Sequence, residues 1–224
     1  MSHPDSIHTT YGVLTGDSEH ELVVKRSRFI CYLRRVESVE EARDATELVK
    51  LEHRMARHHC TAHVIGPDRN ERRSNDDGEP SGTAGMPMLD ALTRFRRPGT
   101  DVADCSDIVA IVVRYFGGVL LGAGGLVHAY SDAVSQALEQ ATFRSRQRMR
   151  HFILDAPHTD AGRWENELRA GGITVLGTDY ESRGARIRLA IADEPETSTA
   201  LEQRIASLTA GARVLEDAGV NWVG

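Results

Sequence analysis

The hydrophobic pattern of the first two thirds of the chain predicts strands and helices joined by short polar turns. Dense or alternating β-branched positions indicate strands, and apolar positions three and four residues apart indicate amphipathic helices. A Ser38–Glu41 capping box marks one helix start, and Thr83 predicts the cap of the next helix. The predicted strands are Ile7–Leu14, Glu21–Val36, Cys60–Ile65 and Asp107–Phe116, and the predicted helices are Val39–Met55, Thr83–Phe95 and Leu126–Phe143, with a polar loop over 68–82.

The last third has a second, complete pattern. A basic stretch, Arg144–Arg150, is the predicted connector, and the domains are predicted as residues 1–146 and 147–224. The order of elements after the connector is β-α-β-β-α-β, the split arrangement of ferredoxin-like domains. These elements are predicted at Phe152–Ala156, Asp160–Ala170, Ile173–Glu181, Ala185–Ala192, Glu196–Leu208 and Ala212–Val220.

Composition narrows the class of protein. Of 224 residues, 40% are hydrophobic and 27% charged, which is typical of a globular chain with a sizeable core. No apolar run is long enough for a transmembrane helix, and Met1–Asp5 has no basic start of a secretory signal. Three well-separated cysteines predict a reduced, cytoplasmic protein. The net charge of −6 argues against a polybasic nucleic-acid binder but leaves room for a local basic patch.

The loop before the second helix has the densest set of polar groups. It holds three carboxylates (Asp76, Asp77 and Glu79), the hydroxyls of Ser81 and Thr83, and several glycines. The backbone N–H groups of residues 82–85 would be the unpaired donors of the helix start, which attract an anion. The alternative is structural: Thr83 and Glu79 cap the helix and the glycines form the turn.

A second glycine-rich segment follows the buried strand. Arg114 at the strand end could contact an anion, and Tyr115 and Phe116 could give a stacking face for a base. The glycines after them fit neither a Walker loop nor a dinucleotide fingerprint, and close packing of the helix explains them equally well. Because a buried guanidinium needs a partner, we expect Arg114 to pair with the Asp76–Glu79 loop, either as a buried structural pair or as a solvent-facing ligand contact.

Histidines between the first helix and the third strand suggest a metal only weakly. His53, His58, His59 and His63 lie near Cys60, but they span a helix end and a strand, so their spacing does not place them on one helical face. No metal, cofactor or catalytic residue is therefore predicted.

Taken together, the motifs resemble the IMPACT family, in its bacterial YigZ-like branch. The resemblance covers about residues 20–135, and the two glycine motifs in this order are specific. The matching segments are Lys25–Ile30, His58–Ala62, Asp77–Gly85 with Pro87, Arg114–Gly118, Leu121–Leu126 and Ala129–Tyr130.

The resemblance implies a mixed α/β, two-domain protein. The N-terminal domain would be an α/β sandwich with a four-stranded sheet, like a domain of a small-subunit ribosomal protein. The C-terminal ferredoxin-like domain would be similar to the fifth domain of elongation factor G. Eukaryotic members of the family regulate translation. Two departures, Leu120 where the family often has lysine and His128 where it often has arginine, remove positive charge beside the glycines.

The first functional interpretation is a non-enzymatic, translation-associated regulator that binds the ribosome, RNA or a protein of the translation apparatus. The alternative is an enzyme acting on a nucleotide or phosphorylated ligand, with Asp76, Asp77 and Glu79 holding Mg²⁺ or serving as a base. A protein–protein adaptor without a ligand is a third possibility. The predicted ligand-binding residues are Asp77, Glu79, Ser81, Gly82, Thr83, Arg114, Tyr115, Gly117, Gly118, Gly124 and Gly125.

Overall fold

The structure, a computed structural model, describes residues 9–224. Predictions for Met1–Asp5 and for the start of the first strand at Ile7 fall outside the described residues. The chain divides into two compact units, one ending at Ser145 and the other running from Arg146 to Gly224. Each has its own hydrophobic core. That residues 1–146 and 147–224 are separable domains stays a prediction.

Ten strands and five helices make up the described chain. The strands are β1 Thr10–Leu14, β2 Ser18–Val24, β3 Ser27–Arg35, β4 His58–Ile65, β5 Glu71–Asn75, β6 Ile108–Tyr115, β7 Phe143–Ala156, β8 Thr174–Glu181, β9 Gly184–Ala192 and β10 Glu216–Val223. The helices are α1 Val39–Glu52, α2 Gly85–Arg94, α3 Gly122–Gln140, α4 His158–Ala170 and α5 Pro195–Leu208.

The first unit contains an antiparallel sheet in the order β2-β3-β6-β4-β5. Side chains of α2 and α3 pack on one face, and α1 packs on the other. Because helices cover both faces, the central strand β6 is buried from Ile108 to Arg114, as its unbroken apolar run predicts. The mixed α and β class is confirmed, but the sheet has five strands rather than four.

The additional strand and a hairpin correct the predicted elements. Residues 71–75, expected to be loop, form edge strand β5, where backbone pairing with β4 outweighs a polar sequence. The predicted long strand Glu21–Val36 is two strands, because Lys25 and Arg26 adopt φ values of 46° and 67° in a tight turn. Helix α3 begins at Gly122, four residues earlier than expected, so much of the second glycine segment is helical.

The second unit has the strand order β10-β7-β9-β8, with every neighbouring pair antiparallel. Together with α4 and α5, this is the βαββαβ arrangement of ferredoxin-like domains, as predicted. Its core is formed by strand residues such as Leu154 and Ile187, with Trp164 and Leu168 of α4 and Ile205 of α5.

The predicted basic connector is not a linker. All of Arg144–Arg150 lies inside β7, and residues from Gln147 to Ile153 pair with β10. Arg148 and Arg150 form ion pairs with Asp193, which explains how a basic run is tolerated in a strand. Burial would raise the pKa of Asp193, but hydrogen bonds from the two arginines outweigh it, and the pKa lies below its ordinary value.

Candidate functional site

A buried ion pair joins the two motifs singled out in the sequence. Arg114, near the end of β6, donates from Nη1 to Glu79 Oε1 at 2.6 Å. The two side chains are only 9% and 3% exposed. The expected pairing of Arg114 with the acidic loop is therefore confirmed, in its buried form rather than its solvent-facing one.

Tyr130 of α3 holds the same carboxylate from the other side. Its hydroxyl donates to Glu79 Oε1 at 2.8 Å. Burial, followed by the neighbouring Cys60 and Glu79, raises the pKa of Tyr130 well above its ordinary value, so the hydroxyl stays protonated and remains a donor. Burial also raises the pKa of Cys60 to about 12, which leaves its thiol unreactive.

The backbone N–H groups at and just before the start of α2 donate to a carboxylate of the loop itself, that of Asp76. Asp76 accepts from Gly82 N through Oδ2, and from Ala84 N and Gly85 N through Oδ1, at 2.8–3.0 Å. Burial opposes ionisation, but these three donors outweigh it and lower the pKa of Asp76. The predicted free anion cradle is therefore filled, and the predicted Thr83 cap is wrong: Thr83 Oγ1 donates to Pro80 O instead.

Asp77 and Gly78 form the tight turn that carries the loop over β4. Their φ values are 43° and 83°, and Glu79 N closes the turn on Asp76 O at 3.0 Å. Asp77 Oδ2 accepts from His59 N at 2.6 Å, and Asp77 O lies 2.8 Å from His58 Nδ1. The turn is thus held down on β4, and it positions Glu79 beneath Arg114.

A pocket of about 610 Å³ opens at this end of the sheet. His58, Arg114 and Phe29 lie side by side on β4, β6 and β3. Phe116 is 55% exposed and Leu120 is 83% exposed, so the wall has apolar surface available to a ligand. The lining residues are Met55, Arg57, His58, Arg114, Tyr115, Phe116 and Leu120.

Arg114 is only partly satisfied by the protein. Its Nε is buried and has no hydrogen-bond partner among the described residues. Arg28 shows how the Nε–Nη2 edge is normally used, since it grips both oxygens of Glu21 with that edge. The ring centroids of Phe29 and Phe116 lie 5.5 and 5.7 Å from Cζ, the guanidinium carbon of Arg114. The guanidinium therefore has aromatic neighbours and no acceptor for its Nε.

The β2–β3 turn brings further positive charge to this loop. A Cβ on Gly117 would overlap the backbone of Arg26, so only glycine permits the contact, and Gly117 N donates to Ser27 Oγ at 3.1 Å. Lys25 and Arg26 at the turn, and Arg57 at the pocket, are exposed. None of the three has an ion-pair partner in residues 9–224.

The other predicted residues are spread over several environments. Tyr115 lines the pocket, but its hydroxyl is 2.9 Å from His53 Nδ1, which holds the ring in place. Ser81 is exposed, and Gly82 lines a different groove, between α2 and α3. Gly118 has a φ of 84°, whereas Gly124 and Gly125 are in the first turns of α3. Of the predicted residues, the structure brings together Arg114, Tyr115 and Glu79, and Asp77 contacts His58, which lines the same pocket.

His58, Arg57 and Met55 were not predicted as ligand-binding residues, whereas Phe116, predicted with Tyr115 as a stacking face, does line the pocket. His58 appeared only as a weak metal candidate, and no metal-binding group of three or more ligands occurs among residues 9–224. The alternation within β4 and β6 could have indicated that His58 and Arg114 share a face. The pairing of those two strands across a helix and a long loop is not visible in the sequence.

Comparison with known proteins decides the family. The description "Impact N-terminal domain" matches residues 25–138, half of the chain, and this range contains the site. The chain belongs to the IMPACT family. It is 42% identical over 171 residues to the IMPACT family member YvyE of Bacillus subtilis, covering 76% of this chain and 75% of that protein. It is 41% identical to the IMPACT family member YigZ of Escherichia coli, covering 71% and 75%.

The likeness to a solved structure covers residues of both units. A crystal structure described as that of a hypothetical protein matches 92% of this chain and 96% of its own, with a TM-score of 0.61 and 32% identity. Among the described residues, no helix combines the length and apolar character needed to cross a bilayer.

Proposed function

We propose that this IMPACT family protein is a non-enzymatic, translation-associated regulator that binds single-stranded RNA at the pocket beside Arg114. The observation that carries the proposal is the partly unsatisfied guanidinium of Arg114, which lies next to an exposed aromatic ring, Phe116. Recognition of single-stranded RNA commonly combines a basic surface with aromatic rings on which unpaired bases stack.

The local charge supports a nucleic-acid ligand despite the negative net charge. Lys25, Arg26 and Arg57 are unpaired cations on the segments that form or adjoin the pocket. Their attraction for phosphates falls with salt and acts over about 8–10 Å under ordinary conditions, so the local patch matters more than distant acidic residues.

The carboxylates favour binding over catalysis. Asp76 accepts three backbone hydrogen bonds, Asp77 accepts one, and Glu79 is held by Arg114 and Tyr130. A Mg²⁺ site or a general base needs carboxylate oxygens free to face a ligand. The association with translation rests on the family resemblance, and the ribosome is the RNA-containing partner that it suggests.

The test is a salt titration of RNA binding by fluorescence anisotropy, using a mixed-sequence single strand of about 12 nucleotides. The double variant Lys25→Ala/Arg57→Ala should bind more weakly, and its log–log salt slope should fall by about 1.4, or about 0.7 per lost phosphate contact. The matched control is Arg43→Ala/Arg96→Ala, which removes the same charge from exposed positions elsewhere in the first unit. Its affinity should be much closer to that of the wild-type protein.

Two results would contradict the proposal. Equal losses in both double variants would mean that binding reflects net charge alone. No binding of RNA by the wild-type protein, together with thermal stabilisation by a nucleotide and Mg²⁺, would favour the enzyme alternative.

A further inference from the structure

We infer that His58 makes the pocket selective for RNA over DNA by accepting a hydrogen bond from a ribose 2′-hydroxyl. The inference rests on the proposed RNA binding, and it assigns a specific role to a residue at the pocket wall. His58 lies beside Arg114 across the β4–β6 pairing.

The hydrogen bonding of His58 determines which ring nitrogen carries the proton. Nδ1 is 2.8 Å from the backbone oxygen of Asp77, which can only accept, so Nδ1 must be the donor. In the neutral ring this leaves Nε2 with a free lone pair. His58 is half-buried and lines the pocket, so Nε2 is an acceptor available to a ligand there.

The other polar side chains that line the pocket are two arginines and a tyrosine. Arg57 and Arg114 only donate, and the Tyr115 hydroxyl already shares a hydrogen bond with His53 that fixes its position. A ligand that satisfies all of these groups must offer acceptors to the arginines and a donor to His58. Phosphate and deoxyribose oxygens within a DNA strand only accept. Each RNA nucleotide adds a 2′-hydroxyl, which can donate, one sugar away from its phosphate.

The experiment compares three single strands of one sequence: RNA, DNA and RNA with 2′-fluoro sugars, which keep a ribose-like pucker but cannot donate. The wild-type protein should bind RNA about 3- to 10-fold more tightly than the 2′-fluoro strand, the range for one hydrogen bond. In His58→Phe this preference should fall to about 1, mainly through weaker RNA binding. The matched control is His128→Phe, an exposed histidine in the α2–α3 groove, which should keep the wild-type preference.

The 2′-fluoro comparison in wild-type protein does not depend on how well any variant folds. Equal affinity of the wild-type protein for RNA and 2′-fluoro RNA would overturn the role of His58 while leaving RNA binding intact. A preference that persists in folded His58→Phe, or that follows base identity instead of the sugar, would also overturn it. If the wild-type protein binds none of the three strands, both this inference and the proposed function fail.

Discussion

At the scale of single residues, Glu79 is held in the interior by two donors from different elements. Replacing Arg114 by alanine leaves the Glu79 carboxylate buried without its counter-charge, and we expect a loss of about 3–5 kcal/mol in the free energy of unfolding. Tyr130→Phe removes one hydrogen bond to a charged group and should cost about 1.5–3 kcal/mol. Urea denaturation measures both changes. An Arg114→Ala protein with wild-type stability would show that the pair is not structural.

Asp76 predicts a dependence of stability on pH. Asp76→Asn replaces an oxygen acceptor by an amide NH₂ facing N–H donors and leaves at least one donor unsatisfied, so we expect a loss of about 1–3 kcal/mol at pH 7. Because the pKa of Asp76 is lower in the folded state than in the unfolded chain, its stabilisation is complete above about pH 4 and declines as pH falls through the lowered pKa. Urea midpoints of the two proteins should therefore converge in acid. A difference that grows as pH falls would contradict this reading.

A substitution at Leu120 is expected to tighten the binding of RNA. It is 83% exposed at the pocket, where the family often has lysine. Leu120→Lys should leave the melting temperature nearly unchanged, tighten RNA binding and steepen the log–log salt slope by about 0.7. The measurement is the anisotropy titration described above. Leu51→Lys, a change at a well-exposed leucine of α1 that does not line the pocket, is the control and should have a smaller effect. An unchanged slope in Leu120→Lys would place the phosphates elsewhere.

At the scale of elements, one glycine of the β6–α3 connection and one in the first turn of α3 should respond oppositely to alanine. Gly117→Ala forces a Cβ into the backbone of Arg26 and should destabilise the protein by about 1–3 kcal/mol. Gly124 is helical and has open space around its Cα, so Gly124→Ala should be neutral or stabilise by up to about 1 kcal/mol. Thermal melts of the two variants test this. Equal melting temperatures would mean that the β2–β3 turn moves aside without cost.

At the scale of the whole molecule, the two units have separate cores. The junction nevertheless lies within a continuous strand, since β7 begins before Ser145 and continues past Arg146. The basic stretch therefore offers trypsin two kinds of site. Arg144 is exposed, whereas Arg148 and Arg150 pair with β10 and with Asp193.

Limited proteolysis followed by mass spectrometry should detect cleavage after Arg144 before cleavage after Arg148 or Arg150, because the Arg144 side chain is exposed whereas ion pairs with Asp193 hold Arg148 and Arg150 and must open first. The fragment released from the second unit should keep a cooperative melt of its own. Early cleavage after Arg150 would show that the strand is not stably paired. A single melting transition that is lost on cutting would show that the units depend on each other.

The local pattern of the chain determined much of its secondary structure. The unbroken apolar run of β6, the Ser38 cap of α1 and the βαββαβ order of the second unit all appear in the structure as the sequence predicted, because each depends on the spacing of neighbouring residues. The return bond of the predicted capping box goes from Glu37 N, rather than Ser38 N, to Glu41. The pairing of Arg114 with the acidic loop was also predictable, since a buried guanidinium requires a carboxylate and that loop was the nearest candidate source.

Tertiary structure decided which polar groups are satisfied by the protein and which remain for a ligand. The sequence indicated that backbone N–H groups of the acidic loop could bind an anion, but in the folded protein these groups donate to the side chain of Asp76. From the sequence His58 was only a weak metal-ligand candidate; in the structure β4 pairs with β6, and the backbone oxygen of Asp77 accepts a hydrogen bond from His58 Nδ1. The polar strand β5 and the early start of α3 likewise depend on backbone partners and packing supplied by distant segments. The hydrogen bonds of Asp76 and His58 join residues 6 to 19 apart through a loop whose path depends on the fold, and no periodic pattern in the sequence specifies them.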